Sequence, residues 1–106
     1  MKDRIDRLLR ELRVGLERIY GSRLRGVYLY GSYARNEADA ESDVDILVVL
    51  DDFEHYGHEV ELTGQLGADL SLKHGVSISQ VFVRERDWLY EETPFLANVR
   101  EEAVPA

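Results

Sequence analysis

One hundred and six residues, 44% of them hydrophobic, are enough for one compact domain with a modest core and too apolar for a disordered chain. No cysteine is present, which excludes disulfides and thiolate metal sites and makes a reducing cytoplasm the natural setting. The formal charge of −8 argues against broad, sequence-independent binding of nucleic acid, whose phosphates would be repelled over most of the surface.

That charge is unevenly spread. Residues 1–26 hold eight Lys or Arg against four acids, a net of +4, whereas residues 27–106 hold five against seventeen, a net of −12. The Met-Lys-Asp start carries no apolar leader, and the longest unbroken apolar run, Ile46 to Leu50, is far too short to cross a bilayer. A soluble, cytoplasmic protein with no membrane contact is expected. Ile5, Leu8, Leu9, Leu12, Leu16 and Ile19 recur at helical spacing and predict an amphipathic helix over residues 2 to about 20. Arg4, Arg7, Arg10, Arg13 and Arg18 read as its solvated side, paired with Asp3, Asp6, Glu11 and Glu17, in preference to a docking face for an acidic partner or a polyanion.

Gly21-Ser22 ends that helix, and Arg25 to Tyr30 reads as the first strand. Gly31-Ser32 then stands where a strand gives way to a turn. Gly31 can adopt backbone angles closed to other residues and leaves room for a bulky ligand, while Ser32 opens a short helical turn whose free N–H groups attract an anion. Between Ser32 and Ala40 a short helix or turn is expected. Arg35 either reaches a phosphate or pairs with Glu37 or Asp39.

Glu41-Ser42-Asp43-Val44-Asp45 leads into a second apolar strand, Ile46 to Leu50. Strand alternation puts Asp43 and Asp45 on one face with Cα atoms roughly 7 Å apart. Two carboxylates so close repel each other beside poorly solvating neighbours, and a hard divalent cation such as magnesium relieves both costs. A phosphate-cradling turn beside paired metal-binding acids makes a site for a nucleoside triphosphate, and chemistry there needs positioning and charge neutralisation more than a protein nucleophile.

His55 to about Lys73 predicts a second helix with Leu62, Leu66 and Leu70 at four-residue spacing and Val60, Thr63 and Leu72 nearby; Gly64 and Gly67 either let it lie close to the sheet or mark a kink. His55 and His58 are read as surface histidines rather than a zinc pair, since no third nitrogen or sulfur ligand is evident. Gly75 stops the helix. Val76 to Val83 predicts a third strand with Val76, Ile78, Gln80 and Phe82 on one face and Ser77, Ser79, Val81 and Val83 on the other. Trp88, Leu89 and Tyr90 read as a hydrophobic patch that folds back on the core, the default, or meets another chain. Thr93 caps, and Pro94 opens, a last short helix through Phe95, Leu96 and Val99, with Glu91, Glu92, Glu101 and Glu102 around it.

Gly31-Ser32, Ala34 and Ser42-Asp43-x-Asp45 followed by an apolar strand resemble the glycine-serine and paired-aspartate signature of the polymerase-beta-like nucleotidyltransferase superfamily. The short chain resembles its minimal, or MNT, branch, and Thr93 to Arg100 is similar to the tail of such small proteins. The resemblance implies an α/β nucleotidyltransferase fold: a small mixed sheet with helices packed against it, and a fourth strand or extension that the sequence does not place. It implies Asp43 and Asp45 as catalytic magnesium ligands, with Gly31, Ser32, Arg35 and Ser42 contacting the nucleotide. Asn36 stands where relatives commonly carry glycine; Asn tolerates a left-handed backbone better than most residues. The superfamily usually adds a third carboxylate on a neighbouring strand as general base, and here that strand offers only serines.

Full-size relatives append a domain that grips the acceptor, for which this chain has no room. The acceptor is then held in a shallow site, by a second copy, or by a different protein. MNT chains of this kind resemble the partners of small helical HEPN proteins in toxin–antitoxin pairs, which they neutralise by adding nucleotide or by binding. Two functions are therefore expected in competition: magnesium-dependent transfer of a nucleoside monophosphate, ATP being the expected donor, to a hydroxyl of a protein partner; or sequestration of that partner by a degenerate nucleotide-binding module.

Overall fold

The computed structural model describes residues 2–106. Helix α1, Lys2–Tyr20, follows from leucines repeated at four-residue intervals: Leu8, Leu12 and Leu16 are fully buried along one side. Tyr20, rather than the half-exposed Ile19, completes that stripe. A single 3-10 turn, Gly21–Arg23, carries the chain into β1, Leu24–Tyr30. Strand β2, Val44–Leu50, is buried along nearly its whole length, as a central strand must be.

Helix α2, Tyr56–His74, runs without interruption and ends on Gly75, whose φ of 64° supplies a left-handed cap. Gly67 lies against the Gln80 side chain, while Gly64 faces open space. The buried side of α2 is more polar than its leucines imply. Glu59, Thr63, Leu70 and His74 are buried, whereas Leu62 is exposed and Leu72 is 86% exposed. The physical reason lies on α1: the Tyr20 hydroxyl donates to Glu59 Oε1 at 2.9 Å, and His74 Nε2 lies 2.8 Å from Glu11 Oε2. With both polar side chains satisfied, burying them costs little, and the helix turns that side inward.

Strand β3, Ile78–Arg84, leads directly into α3, Glu85–Tyr90; Thr93 then accepts from the Leu96 N–H and starts α4, Pro94–Glu102. The fourth strand, β4, is the pair Val104–Pro105. The sheet order is β3-β2-β1-β4, with β2 and β3 parallel and the remaining neighbours antiparallel. Helices α1 and α2 cover one face, where Val27, Leu29, Ile46, Val48 and Phe82 meet α1 leucines and Leu70. Leu47, Val49 and Val99 form a smaller core on the other face with Tyr28, Tyr30 and Trp88; Leu89 and Tyr90, expected to fold inward with Trp88, stay exposed. The result is the mixed α/β sandwich that the spacing predicts. Among the described residues no helix is long and apolar enough to cross a membrane.

Candidate functional site

The site forms where β1 ends and β2 begins. Antiparallel pairing sets Tyr30 opposite Asp45, so the chain that leaves β1 at Gly31 emerges beside that carboxylate. Gly31 has φ of 77°, and a Cβ built on it would collide with Asp45 Oδ2. Only glycine serves there on both counts. The following residues wind into a tight turn in which Arg35 N–H donates to Gly31 O at 3.1 Å and Glu37 N–H to Ser32 O at 2.9 Å. Asn36 closes it with φ of 59°, the left-handed conformation for which Asn is suited.

Asp45 is partly buried on the face of β2 shared with Leu47 and Val49. Burial, and then the charge of nearby Asp43, push its carboxyl above the ordinary range, and Arg35 pulls the other way. Asp43 is exposed and lies one residue ahead of the strand. Tyr30 flanks the pair; burial, then the field of Asp45, push its hydroxyl up to about 12, so it stays a neutral donor. Ser42 is turned to its own loop, where its hydroxyl accepts from the Asp39 N–H at 3.0 Å and donates to Asp39 Oδ1 at 3.3 Å. Arg35 bonds Glu37 at 2.6 Å and, unforeseen in the sequence, Glu102 Oε2 at 2.6 Å. Asp39 is not its partner.

Glu102 is the residue that sequence reasoning missed. Its Oε2 also accepts from the Gly31 N–H at 3.2 Å, so a carboxylate from the end of α4 sits on the donors of the glycine turn. A signal was present: Leu96, Val99 and Glu102 follow one another at three-residue spacing, which carries the buried side of α4 onto an acid. On the other flank Asp45 is in register with Ser79 of β3, and no acid of that strand faces the pair.

Among the described residues no group of three or more His, Cys, Asp or Glu stands close enough to hold a metal by itself. Two oxygen donors, one of them held above its usual carboxyl range by burial and a like-charged neighbour, fit an ion that completes its shell with water and substrate oxygens. Magnesium behaves so, whereas zinc favours a protein cage of nitrogen and sulfur.

A mixed sheet that brings a glycine-serine turn against the second of two spaced aspartates defines a nucleotidyltransferase-type α/β domain. The profile of the nucleotidyltransferase domain matches residues 9–104, and this chain belongs to that family. Two Methanocaldococcus jannaschii proteins provisionally named as protein adenylyltransferases are similar to it. MJ0604 is 32% identical over 92% of each chain, and MJ0141 is 28% identical over 74% of this chain and 78% of its own. Among solved structures, a toxin–antitoxin crystallised with AMP-PNP superposes with a TM-score of 0.63 at 22% identity, covering 89% of this chain and 68% of that one. A variant of the toxin–antitoxin MntA–HpeT gives 0.59 at 18% identity, over 88% and 67%. These two share the fold, and the family match bears out the resemblance to the nucleotidyltransferases.

Proposed function

We propose that this chain moves a nucleoside monophosphate from a nucleoside triphosphate, with ATP as the donor, to a hydroxyl on a protein partner. The observation that carries the reading is the contact of Gly31 with Asp45: the anion-binding turn and the acid meet with no room for one methyl group between them. Gly31 and Ser32 N–H groups would hold the β- and γ-phosphates, with Arg35 beside them and Ser42 steadying the loop before Asp43. Asp43 and Asp45 would hold magnesium, which when bound neutralises the phosphate charge that these acids would otherwise repel. In the reaction the acceptor oxygen bonds the α-phosphorus, the bond to the bridging oxygen breaks, and pyrophosphate leaves with that electron pair. The hydroxyl proton passes to solvent or to a base on the partner, since Ser79 stands where a carboxylate of β3 would face Asp45.

The names of the relatives support protein as acceptor, and the toxin–antitoxin neighbours support a paired partner, for which a small helical HEPN-type protein is the fitting candidate. One observation favours a second reading. The missing carboxylate on β3 suits a module that binds nucleotide and neutralises its partner by holding it.

Calorimetric titration of ATP with and without magnesium tests the site, with Asp43→Asn/Asp45→Asn as comparison. The expected outcome is magnesium-dependent binding that falls at least about tenfold in the double variant, the loss of two charged metal ligands. Equal binding by parent and variant would remove the site. Labelled ATP with the partner then separates the readings: label on the partner that vanishes in the variant supports transfer, and a tight complex indifferent to it supports sequestration.

A further inference from the structure

The donors of the glycine turn are already engaged. Glu102 Oε2 takes the Gly31 N–H at 3.2 Å and Arg35 Nη1 at 2.6 Å, and Glu37 takes Arg35 Nε at 2.6 Å. Carboxylate and phosphate oxygens accept from such donors in the same manner, and an N–H or a guanidinium edge serves one of them at a time. The two acids differ in standing. The Glu37 side chain is 63% exposed and lies within the turn's own sequence, whereas that of Glu102 is 21% exposed and arrives from the far end of the chain.

We infer that Glu102 is an internal stand-in for phosphate that closes the cradle, so that a nucleotide enters only when this side chain swings out. The inference rests on reading the Gly31 turn as a phosphate site. The backbone around Glu102 holds it over the cradle. Leu96 and Val99 are buried on the same side of α4, and Val104 pairs with Leu29, two residues before Gly31. What can move is the side chain. Its tenure is balanced, because Glu102 stands near enough to Asp45 for the two charges to oppose one another, while Arg35 attracts both. The cradle is therefore closed in the free protein and opens when a ligand of higher charge claims the same donors. Apparent affinity is the intrinsic affinity multiplied by the fraction of molecules in which Glu102 is out.

Binding of magnesium–ATP and of inorganic tripolyphosphate is compared for the parent, Glu102→Gln, Glu102→Asp and Glu101→Gln. Glu101 is exposed, so its variant makes the same charge change without touching the cradle. Glu102→Gln is expected to tighten both ligands by about tenfold, as for a site that is closed nine-tenths of the time. Glu102→Asp, one methylene short of the donors, should tighten them as well, and Glu101→Gln should leave them unchanged. The Gly31 amide resonance should shift in both Glu102 variants before any ligand is added, which also reports that they fold. Unchanged or weaker binding in the Glu102 variants overturns the gate, as does equal tightening in Glu101→Gln. If those results come while the parent's binding still depends on Asp43 and Asp45, the gate alone has failed. Absence of binding in the parent and every variant fails the nucleotide site along with it.

Discussion

At Gly31 a single missing methyl group decides whether the turn can lie against Asp45. Its φ of 77° is one that L side chains adopt at a cost of about 1–2 kcal/mol, and a Cβ there would overlap Asp45 Oδ2. Gly31→Ala is accordingly expected to lower stability by about 1–2 kcal/mol from the backbone alone, with a further loss from the displaced carboxylate. Urea midpoints of the parent, Gly31→Ala, Asp45→Ala and the double variant separate the two parts. The double variant should be more stable than the sum of the single losses, because removing the carboxylate removes the overlap but not the strain. Strict additivity would mean that the two residues do not touch. The same variant should lose magnesium–ATP binding in calorimetry. That the turn lies beside the acids was legible in the sequence; that Gly31 itself meets Asp45 was not, because it depends on the register between β1 and β2. Nor was Glu102, since its place depends on how α4 docks against the sheet. Helical spacing from Leu96 and Val99 pointed inward, but not to what lay there.

The helices divide in the same way between what local pattern dictates and what a neighbouring element supplies. Helix α1 and the apolar strand β2 were readable because one kind of side chain repeats at one period along them. Helix α2 was read correctly in extent and in part in orientation: Leu66 and Leu70 face the core and Leu62 does not, while the inward Glu59 and His74 become acceptable only through Tyr20 and Glu11 on another helix. The two residues of β4 carry no pattern at all; they are fixed by pairing with β1. The tie between α1 and α2 makes a pH-dependent prediction. Hydrogen bonds from Lys73 and then His74 hold the Glu11 carboxyl down from 4.5 to about 2. A carboxyl lowered in the folded state binds its proton less readily there than in the unfolded chain. Its contribution to stability is whole above the ordinary value and drains away as pH falls towards the lowered one. Glu11→Gln should therefore unfold at lower denaturant than the parent at pH 7, and the gap should narrow between pH 4.5 and pH 2. A gap that is constant with pH would assign the loss to packing rather than to the ionised contact.

Across the whole molecule the charge runs against the ligand proposed for it. The chain carries −8, a magnesium–triphosphate complex carries negative charge as well, and Arg35 at the site pairs with Glu37 and Glu102 near Asp45, which Asp43 adjoins. The arginines of α1 give residues 1–26 a net of +4, but the cradle lies in the part of the chain whose net is −12. For the proposed ligand, encounter would be slowed by long-range repulsion, and binding would be rescued at short range by the turn's donors and by the metal. Salt screens the first effect far more than the second, since the Debye length falls from about 30 Å at 0.01 M to about 10 Å at 0.1 M. The association rate of a fluorescent magnesium–ATP analogue, followed by stopped flow, should therefore rise about two- to fivefold from 0.01 to 0.3 M potassium chloride. A phosphate site on a basic surface shows the opposite trend, because there salt removes an attraction. Replacing Arg4, Arg7 and Arg10 with Gln removes three positive charges and should steepen that rise if those side chains add only to the net charge. A rate that falls with salt in the parent, and ceases to fall in that triple variant, would mean that the basic helix steers the nucleotide in spite of the net charge.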